Sequence, residues 1–305
     1  MSDVDAGLAR ITLPVRSLSA AVAALRGDGV SLRSEQHLGG GSINEARRLQ
    51  LSDGTRLFLK RNRLSHEGLF REEARGLLAL RTEGGPRVPQ PLALFEDDRY
   101  QYLIMEYVAP GGRSPAAWAM LGRRLAVLHA SRRSERAGFP RDNHIGSTPQ
   151  INTWSDDWHS FFARHRLLYQ VELAARSGLA DASLVRGVER LAARLGELLP
   201  DCDDASPGIL HGDLWGGNVM MAESGEPVLI DPAAYYGHRE ADLAMTELFG
   251  GFSSAFYDAY REQWPLVPGY SERRDIYNLY HLLNHLNLFG RSYLSSCVSI
   301  VRSYA

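Results

Sequence analysis

Apolar residues recur along this chain with two different periods, and the change of period divides it. In the first third the spacing is mostly two. Leu32–Leu38, Ala46–Leu51 and the run Arg56-Leu57-Phe58-Leu59-Lys60 read as strands, the last two joined by the hairpin turn Ser52-Asp53-Gly54. Leu92–Phe95 and Tyr102–Tyr107 read as two more, linked by the polar turn Glu96–Arg99. Two helices interrupt this pattern. Leu18–Leu25 is closed by Gly27 and Gly29, and His66–Leu80 puts Phe70, Ala74, Leu77 and Arg81 on one face. Pro110-Gly111-Gly112 then breaks the chain, and the boundary is expected there: residues 1–108 as an N-terminal lobe, 109–305 as a C-terminal one.

Beyond the break the period becomes helical. Ala116–His129, Trp154–Ser177, Ala182–Leu199 and most of the chain after Ala241 read as helices, whereas Asp142–Thr153 reads as irregular. The only strand-like runs in this half are Gly208–Leu210, Val219–Met221 and Pro227–Ile230. The fold class is therefore α+β, with a small antiparallel sheet in the first lobe and a larger, mostly helical second lobe.

Composition narrows the function classes. A net charge of −2 gives no reason to expect a nucleic-acid or membrane-surface partner. No eighteen-residue apolar span occurs, and no basic segment followed by an apolar run opens the chain, so neither a membrane span nor a signal peptide is expected. Cys202 and Cys297 lack metal spacing and read as free thiols of a reducing cytoplasm. Oligomeric state is not legible in the sequence.

One count carries chemistry. Of the 34 basic residues only Lys60 is a lysine. A compact ammonium acts as a point charge on phosphates where a planar guanidinium does not fit, and Lys60 ends a predicted strand. Upstream, Gly40, Gly41 and Ser42 lie in a glycine-rich loop between the first two strands, able to lay backbone N–H groups over phosphates. Glu73 falls among the apolar positions of its helix. It reads as a rim charge or as a partner for Lys60, while Glu72, about 100° away, reads as solvated.

The densest signal is His211-Gly212-Asp213-Leu214-Trp215-Gly216-Gly217-Asn218, bracketed by strands, with Asp231 at the exit of the next hairpin. This spacing resembles protein-kinase-like catalytic loops. The resemblance implies Asp213, with His211 beside it, at the accepting hydroxyl, and Asn218 and Asp231 as Mg²⁺ ligands. Gly216 and Gly217 would let the backbone turn tightly. Met105, Glu106 and Tyr107 fit two readings, an ordinary last strand or a hinge for an adenine ring. Gly212 stands where a protein kinase has Arg, Pro232-Ala233 replaces Phe-Gly, and ten residues separate Asp231 from Ala241. That is too short for a phosphorylated regulatory segment, so a small-molecule or adduct kinase is expected.

The same loop, with Asp231-Pro232-Ala233, Tyr236-Gly237-His238, Asn284-His285 and Phe289-Gly290, is similar to the fructosamine kinase (ketosamine-3-kinase) family, as is Gly146 with Gln150-Ile151-Asn152, Trp158 and Phe161-Phe162. The likeness runs from Gly39 to Gly290. It implies a bilobal protein-kinase-like fold, ATP and Mg²⁺, and phosphorylation of the 3-hydroxyl of ketosamines on small amines or protein lysines. The product is unstable and returns the free amine. It further implies Asp213 as base, Met105–Tyr107 as adenine hinge, and Trp215 with His285 against the sugar. Ser42 stands where several members carry Cys. Two alternatives are an aminoglycoside- or choline-type kinase and, from another class, a nucleotide-binding pseudokinase module.

Overall fold

The first lobe is built on a five-stranded antiparallel sheet. Its strands are β1 (Leu32–Leu38), β2 (Glu45–Leu51), β3 (Arg56–Arg63), β4 (Pro91–Glu96) and β5 (Tyr100–Glu106), in the order β1-β2-β3-β5-β4. The computed structural model describes residues 3–39, 44–64, 68–200 and 206–304. Period-two alternation decides what each face of β3 does. Leu57 and Leu59 pack with Leu49, Leu51 and Ile104 under helix α2 (Leu18–Arg26), one of a pair with α1 (Asp3–Ile11). Lys60 points the other way, toward α3 (Leu69–Leu80), whose Phe70, Ala74 and Leu77 join Leu103 and Met105 in the main core. Ser17 caps α2 by accepting from the N–H of Ala20, and Gly27 ends it at φ +92°.

The second lobe opens with α4 (Pro115–Ser131), started by the Ser114 cap and Pro115. A short hairpin follows, β6 (Asn143–Ile145) and β7 (Thr148–Gln150), then α5 (Trp158–Phe162), α6 (Tyr169–Arg176), α7 (Ala182–Ala193) and α8 (Leu195–Leu198). Strands β8 (Gly208–Leu210), β9 (Val219–Met221), β10 (Pro227–Leu229) and β11 (Tyr235–Gly237) pair as β9–β10 and β8–β11. Helices α9 (Glu240–Leu248), α10 (Ser254–Gln263), α11 (Tyr270–Phe289) and α12 (Leu294–Tyr304) complete it. None of the helices among the described residues is long and apolar enough to cross a membrane.

Four expectations need correction. The stretch read as irregular contains the β6–β7 hairpin, held by side-chain amides rather than by an apolar pattern. The long helix read as Trp154–Ser177 starts only at Trp158 and contains a π-helical turn over Ala163–Leu168, where the N–H of Tyr169 reaches the carbonyl of Arg164. The helix read as Ala182–Leu199 breaks at Arg194, whose ψ is 9°. Glu72 is not solvated. The unanticipated α1 packs on α3, and Glu72 accepts from Arg75 Nε at 2.8 Å with Arg75 also paired to Asp5. Burial holds the Glu72 carboxyl above its usual range.

Candidate active site

Lys60 stands between the lobes. Its ammonium is 2.6 Å from Glu73 Oε1 on α3 and 2.6 Å from Asp231 Oδ1 just beyond β10. Burial alone would discharge it, but the two carboxylates more than reverse that and raise its pKa. Glu73 is raised, first by burial and further by Asp231, with Lys60 opposing. The lone lysine therefore ties α3 to the segment after β10.

Asp213 lies on the loop between β8 and β9. Asn218 Nδ2 donates to the Asp213 carbonyl at 2.8 Å and to its Oδ2 at 3.0 Å. Burial pushes the Asp213 carboxyl up to about 7; the Asn218 bond opposes this and the charges of Asp231 and Asp242 add to it. Both Asn218 bonds use the amide nitrogen, which leaves Oδ1 as the atom available to a hard cation. The Asp231 side chain is 48% exposed, with Lys60 on one oxygen. Among the described residues no three His, Cys, Asp or Glu side chains form a metal cluster. One amide oxygen and one carboxylate nonetheless suit Mg²⁺, which takes most of its remaining ligands from phosphates and water.

His211, expected at the chemistry, is engaged elsewhere. Its fully buried ring donates from Nε2 to the Ile230 carbonyl at 2.9 Å, and Nδ1 accepts from the Asp213 N–H at 3.3 Å. Burial lowers its pKa and keeps it neutral, so it acts as a strut between the two acidic loops. Ile230 also donates to the Asn218 carbonyl and Ala233 to that of His211. These bonds hold Asp231 at φ +55°, the only positive φ outside glycine among the described residues.

Gly212 has a steric reason as well as the missing guanidinium. Its φ is +81°, and a Cβ there would lie 2.1 Å from the Ala233 oxygen. The reading of Gly216-Gly217 also changes. Neither has a positive φ, but the Trp215 ring lies over Gly217, where a Cβ would come within 2.3 Å of it. Trp215 itself is 40% exposed. His285, on α11, donates from Nδ1 to the His281 carbonyl at 2.8 Å and is linked to the Asp213 loop through the Phe249 ring, whose centroid is 4.7 Å from that of His285 and 6.4 Å from that of Trp215.

At the end of β5 the expected adenine contacts are partly committed. Met105 is buried, the Glu106 N–H donates to the Gln90 carbonyl, and its carboxylate pairs with Arg87. The Tyr107 ring is covered by Arg48 and Arg56 at 5.9 and 5.2 Å. Gly40, Gly41 and Ser42 lie outside the described residues.

With this geometry in hand, a profile of the fructosamine kinase family matches residues 14–305. The chain belongs to that family. It is 44% identical to the chloroplastic protein-ribulosamine 3-kinase of Arabidopsis thaliana, over 88% of this chain and 81% of that one. A crystallised candidate fructosamine-3-kinase from Thermobifida fusca superposes with a TM-score of 0.83 at 37% identity, covering 95% and 99% of the two chains. An aminoglycoside phosphotransferase solved with AMP-PNP and hygromycin B superposes at 0.62 with 17% identity, over 95% and 99%, and shares the fold alone. The fold is thus the bilobal α+β one expected, and the family is one of kinases, which implies use of ATP.

In this fructosamine kinase family member two supports of the site escaped sequence reasoning. Asp242 on α9 accepts from the N–H groups of His211 at 2.7 Å and Gly212 at 2.8 Å. His129, the last residue of the helix predicted over Ala116–His129, sits 3.2 Å from Asp242 and 2.9 Å from the Tyr260 hydroxyl. Asp242 was findable, since its neighbours Ala241, Leu243, Ala244 and Met245 are apolar on every side and a helix so surrounded is buried. The second support includes Gln150 and Asn152, which the family likeness marks but whose role the sequence does not give. Gln150 and Asn143 donate to the carbonyls of Ala233 and Ala234 at 2.9 Å, and Asn152 and Tyr280 brace these amides. Behind them the π-helical turn drives Arg166 fully inside, where it donates to Ile151 and Asn152 and lies 4.0 Å from the Tyr235 ring.

Proposed function

We propose that this chain is an ATP- and Mg²⁺-dependent ketosamine kinase that phosphorylates the 3-hydroxyl of a sugar-derived ketoamine, on a small amine or a protein lysine, in the cytoplasm. The observation that carries the reading is the meeting of Lys60, Glu73 and Asp231 beside Asp213 and Asn218. Membership of a family of ketosamine kinases supplies the substrate class.

Phosphoryl transfer asks little covalent work of the protein and much positioned charge. Lys60, held by Glu73, presents its ammonium to the nucleotide phosphates. Asn218 and Asp231 would hold Mg²⁺, which neutralises phosphate charge when bound. Asp213 accepts the proton of the attacking hydroxyl. Its raised pKa, near 7, brings it close to working pH, where a carboxylate is the stronger base. Residues 1–108 form the nucleotide-binding lobe, and 109–305 the lobe that carries the base, the residues that would hold the metal, and the acceptor site. Trp215 offers an aromatic face to the sugar, whose C–H surfaces suit it. The phosphorylated adduct is unstable and releases the free amine, which reverses an early glycation step.

A coupled ADP-release assay tests this across fructosamine, ribulosamine and erythrulosamine adducts. Release that depends on a ketosamine is the expected result. Binding of Mg·ATP with turnover of none of them, or turnover only of an aminoglycoside or choline, would overturn the substrate.

A further inference from the structure

Helix α3 has two working shoulders, about 100° apart around its axis. Glu73 and Gly76 lie on one. The Glu73 carboxylate is 2.6 Å from the Lys60 ammonium, and a Cβ on Gly76 would lie 3.2 Å from Pro232 Cγ, next to Asp231. Glu72, Arg75 and Leu78 lie on the other, and there α1 packs. Gly7 of α1 comes so near that a Cβ on it would lie 3.1 Å from Leu78 Cδ1. Leu8 joins the core that holds Leu69, Phe70 and Leu77. Asp5 pairs with Arg75, whose Nε also donates to Glu72 Oε2 at 2.8 Å. Arg75 is buried despite its charge, and a buried guanidinium is costly unless its carboxylates stay with it.

The chain leaving α1 is pinned to the sheet. Leu13 donates its N–H to the Leu94 carbonyl at 2.9 Å, and Thr12 forms a bridge with Leu94 of β4. The sheet carries Lys60 and α3 carries Glu73, so α1 ties together the two bodies whose side chains must meet. The direct bond from the first turn of α3 to the sheet is long, Phe70 N–H to Gln101 Oε1 at 3.4 Å, and α3 begins at Gly68, φ +76°, with no side-chain cap. The Lys60–Glu73 contact tolerates little movement. A rotation of α3 by about 20° carries a side-chain tip about 5 Å from its axis through roughly 2 Å, enough to break that bond.

We propose that Asp5 and Arg75 are positioning residues for the nucleotide lysine: through them α1 fixes the rotation of α3 that keeps Glu73 on Lys60. This rests on the kinase reading above, in which Lys60 meets the nucleotide phosphates. Without the Asp5–Arg75 pair α3 turns on its core face and Glu73 leaves the ammonium. Lys60 then keeps Asp231 as its carboxylate partner, 2.6 Å away. An ammonium held by Asp231 alone competes with the metal for that carboxylate and is drawn from the phosphates. Binding of Mg·ATP therefore weakens, whereas the acceptor side, built on the other lobe, is untouched.

The test measures the Kd of Mg·ATP by titration, and kcat and both KM values on a ribulosamine, in wild type, Asp5→Asn, Arg75→Met, Glu73→Gln and Asp5→Asn/Glu73→Gln. The Asp5 side chain is 41% exposed, so Asp5→Asn should fold as wild type does and carries the test even where Arg75→Met does not fold. Asp5→Asn and Arg75→Met should each weaken Mg·ATP binding by roughly three- to tenfold and leave KM for the ribulosamine within about twofold. In the Glu73→Gln background Asp5→Asn should add less than about twofold, because the group it acts through is already lost. Unchanged Mg·ATP binding in Asp5→Asn, equal weakening of both substrates, or a full Asp5→Asn effect on top of Glu73→Gln would overturn the positioning role and leave the kinase reading intact. A wild type that binds Mg·ATP but turns over no ketosamine would overturn the substrate alone, and the titrations would still decide the role of α1. A wild type that binds no Mg·ATP would overturn both.

Discussion

At the scale of single residues, two glycines separate backbone need from contact need. Gly212 and Gly54 both have positive φ, +81° and +86°, but only Gly212 has a carbonyl oxygen where its Cβ would go. Gly54→Ala should cost about 1 kcal/mol of stability from backbone strain. Gly212→Ala should cost roughly 2–4 kcal/mol, because the Ala233 oxygen must also move. Denaturant midpoints for the two variants check this contrast. Gly217→Ala makes a different prediction. Its Cβ would meet the Trp215 ring, which is partly exposed and can swing away. Stability should fall by less than about 1 kcal/mol, while KM for the ketosamine rises several-fold with KM for ATP unchanged. Sequence reading singled out Lys60, Glu73, Asp213, Asn218 and Asp231 by position and spacing, and the structure brings Lys60 to Glu73 and Asp231 and Asn218 to Asp213. It misjudged Gly217 and His211, whose reasons lie in contacts across the loop rather than in the motif.

At the scale of elements, the Asp213 loop is held by structures distant in sequence. The α9 clamp is the clearest. Burial alone would raise the Asp242 carboxyl, but His129 and the N–H groups it accepts override this and hold it below its usual range. Its contribution to stability is therefore present above the unfolded carboxyl pKa of about 4 and is lost as pH falls through the lower folded value. Asp242→Asn replaces one acceptor by a donor facing an N–H. It should cost about 2–3 kcal/mol at neutral pH, flatten the acid limb of the stability curve, and lower kcat more than KM for ATP. Urea melts between pH 3 and 7 measure the first two effects. The π-helical turn makes a second case. Arg166 lends a planar fork to Ile151 and Asn152 from inside a cage of rings, so Arg166→Lys should not rescue what Arg166→Met loses. The β6–β7 hairpin and this turn were illegible because amide–carbonyl bonds leave no period in the apolar pattern, whereas the five strands and α3 did.

At the scale of the whole molecule, the two lobes share one apolar core and are tied by polar contacts as well. Lys60 reaches Asp231, Arg87 donates to Glu226, and Gly76 of α3 lies against Pro232. A ligand that binds between the lobes should stabilise both together. Mg·ATP at a hundred times its Kd should add about 2.7 kcal/mol, and Asp231→Asn should remove the metal-dependent part of that gain. The α+β division was readable because the apolar period changes between β5 and α4. How the halves face one another was not, since it depends on pairings such as Lys60–Asp231 across 171 positions. The central claim is that Asp213 takes the proton from the accepting hydroxyl while Lys60, Asn218 and Asp231 hold the nucleotide and its metal. The most direct test is the ADP-release rate of Asp213→Asn on a ribulosamine at saturating Mg·ATP. The account predicts a fall of about 10²–10⁴-fold with Mg·ATP binding retained. A rate near that of wild type would contradict it.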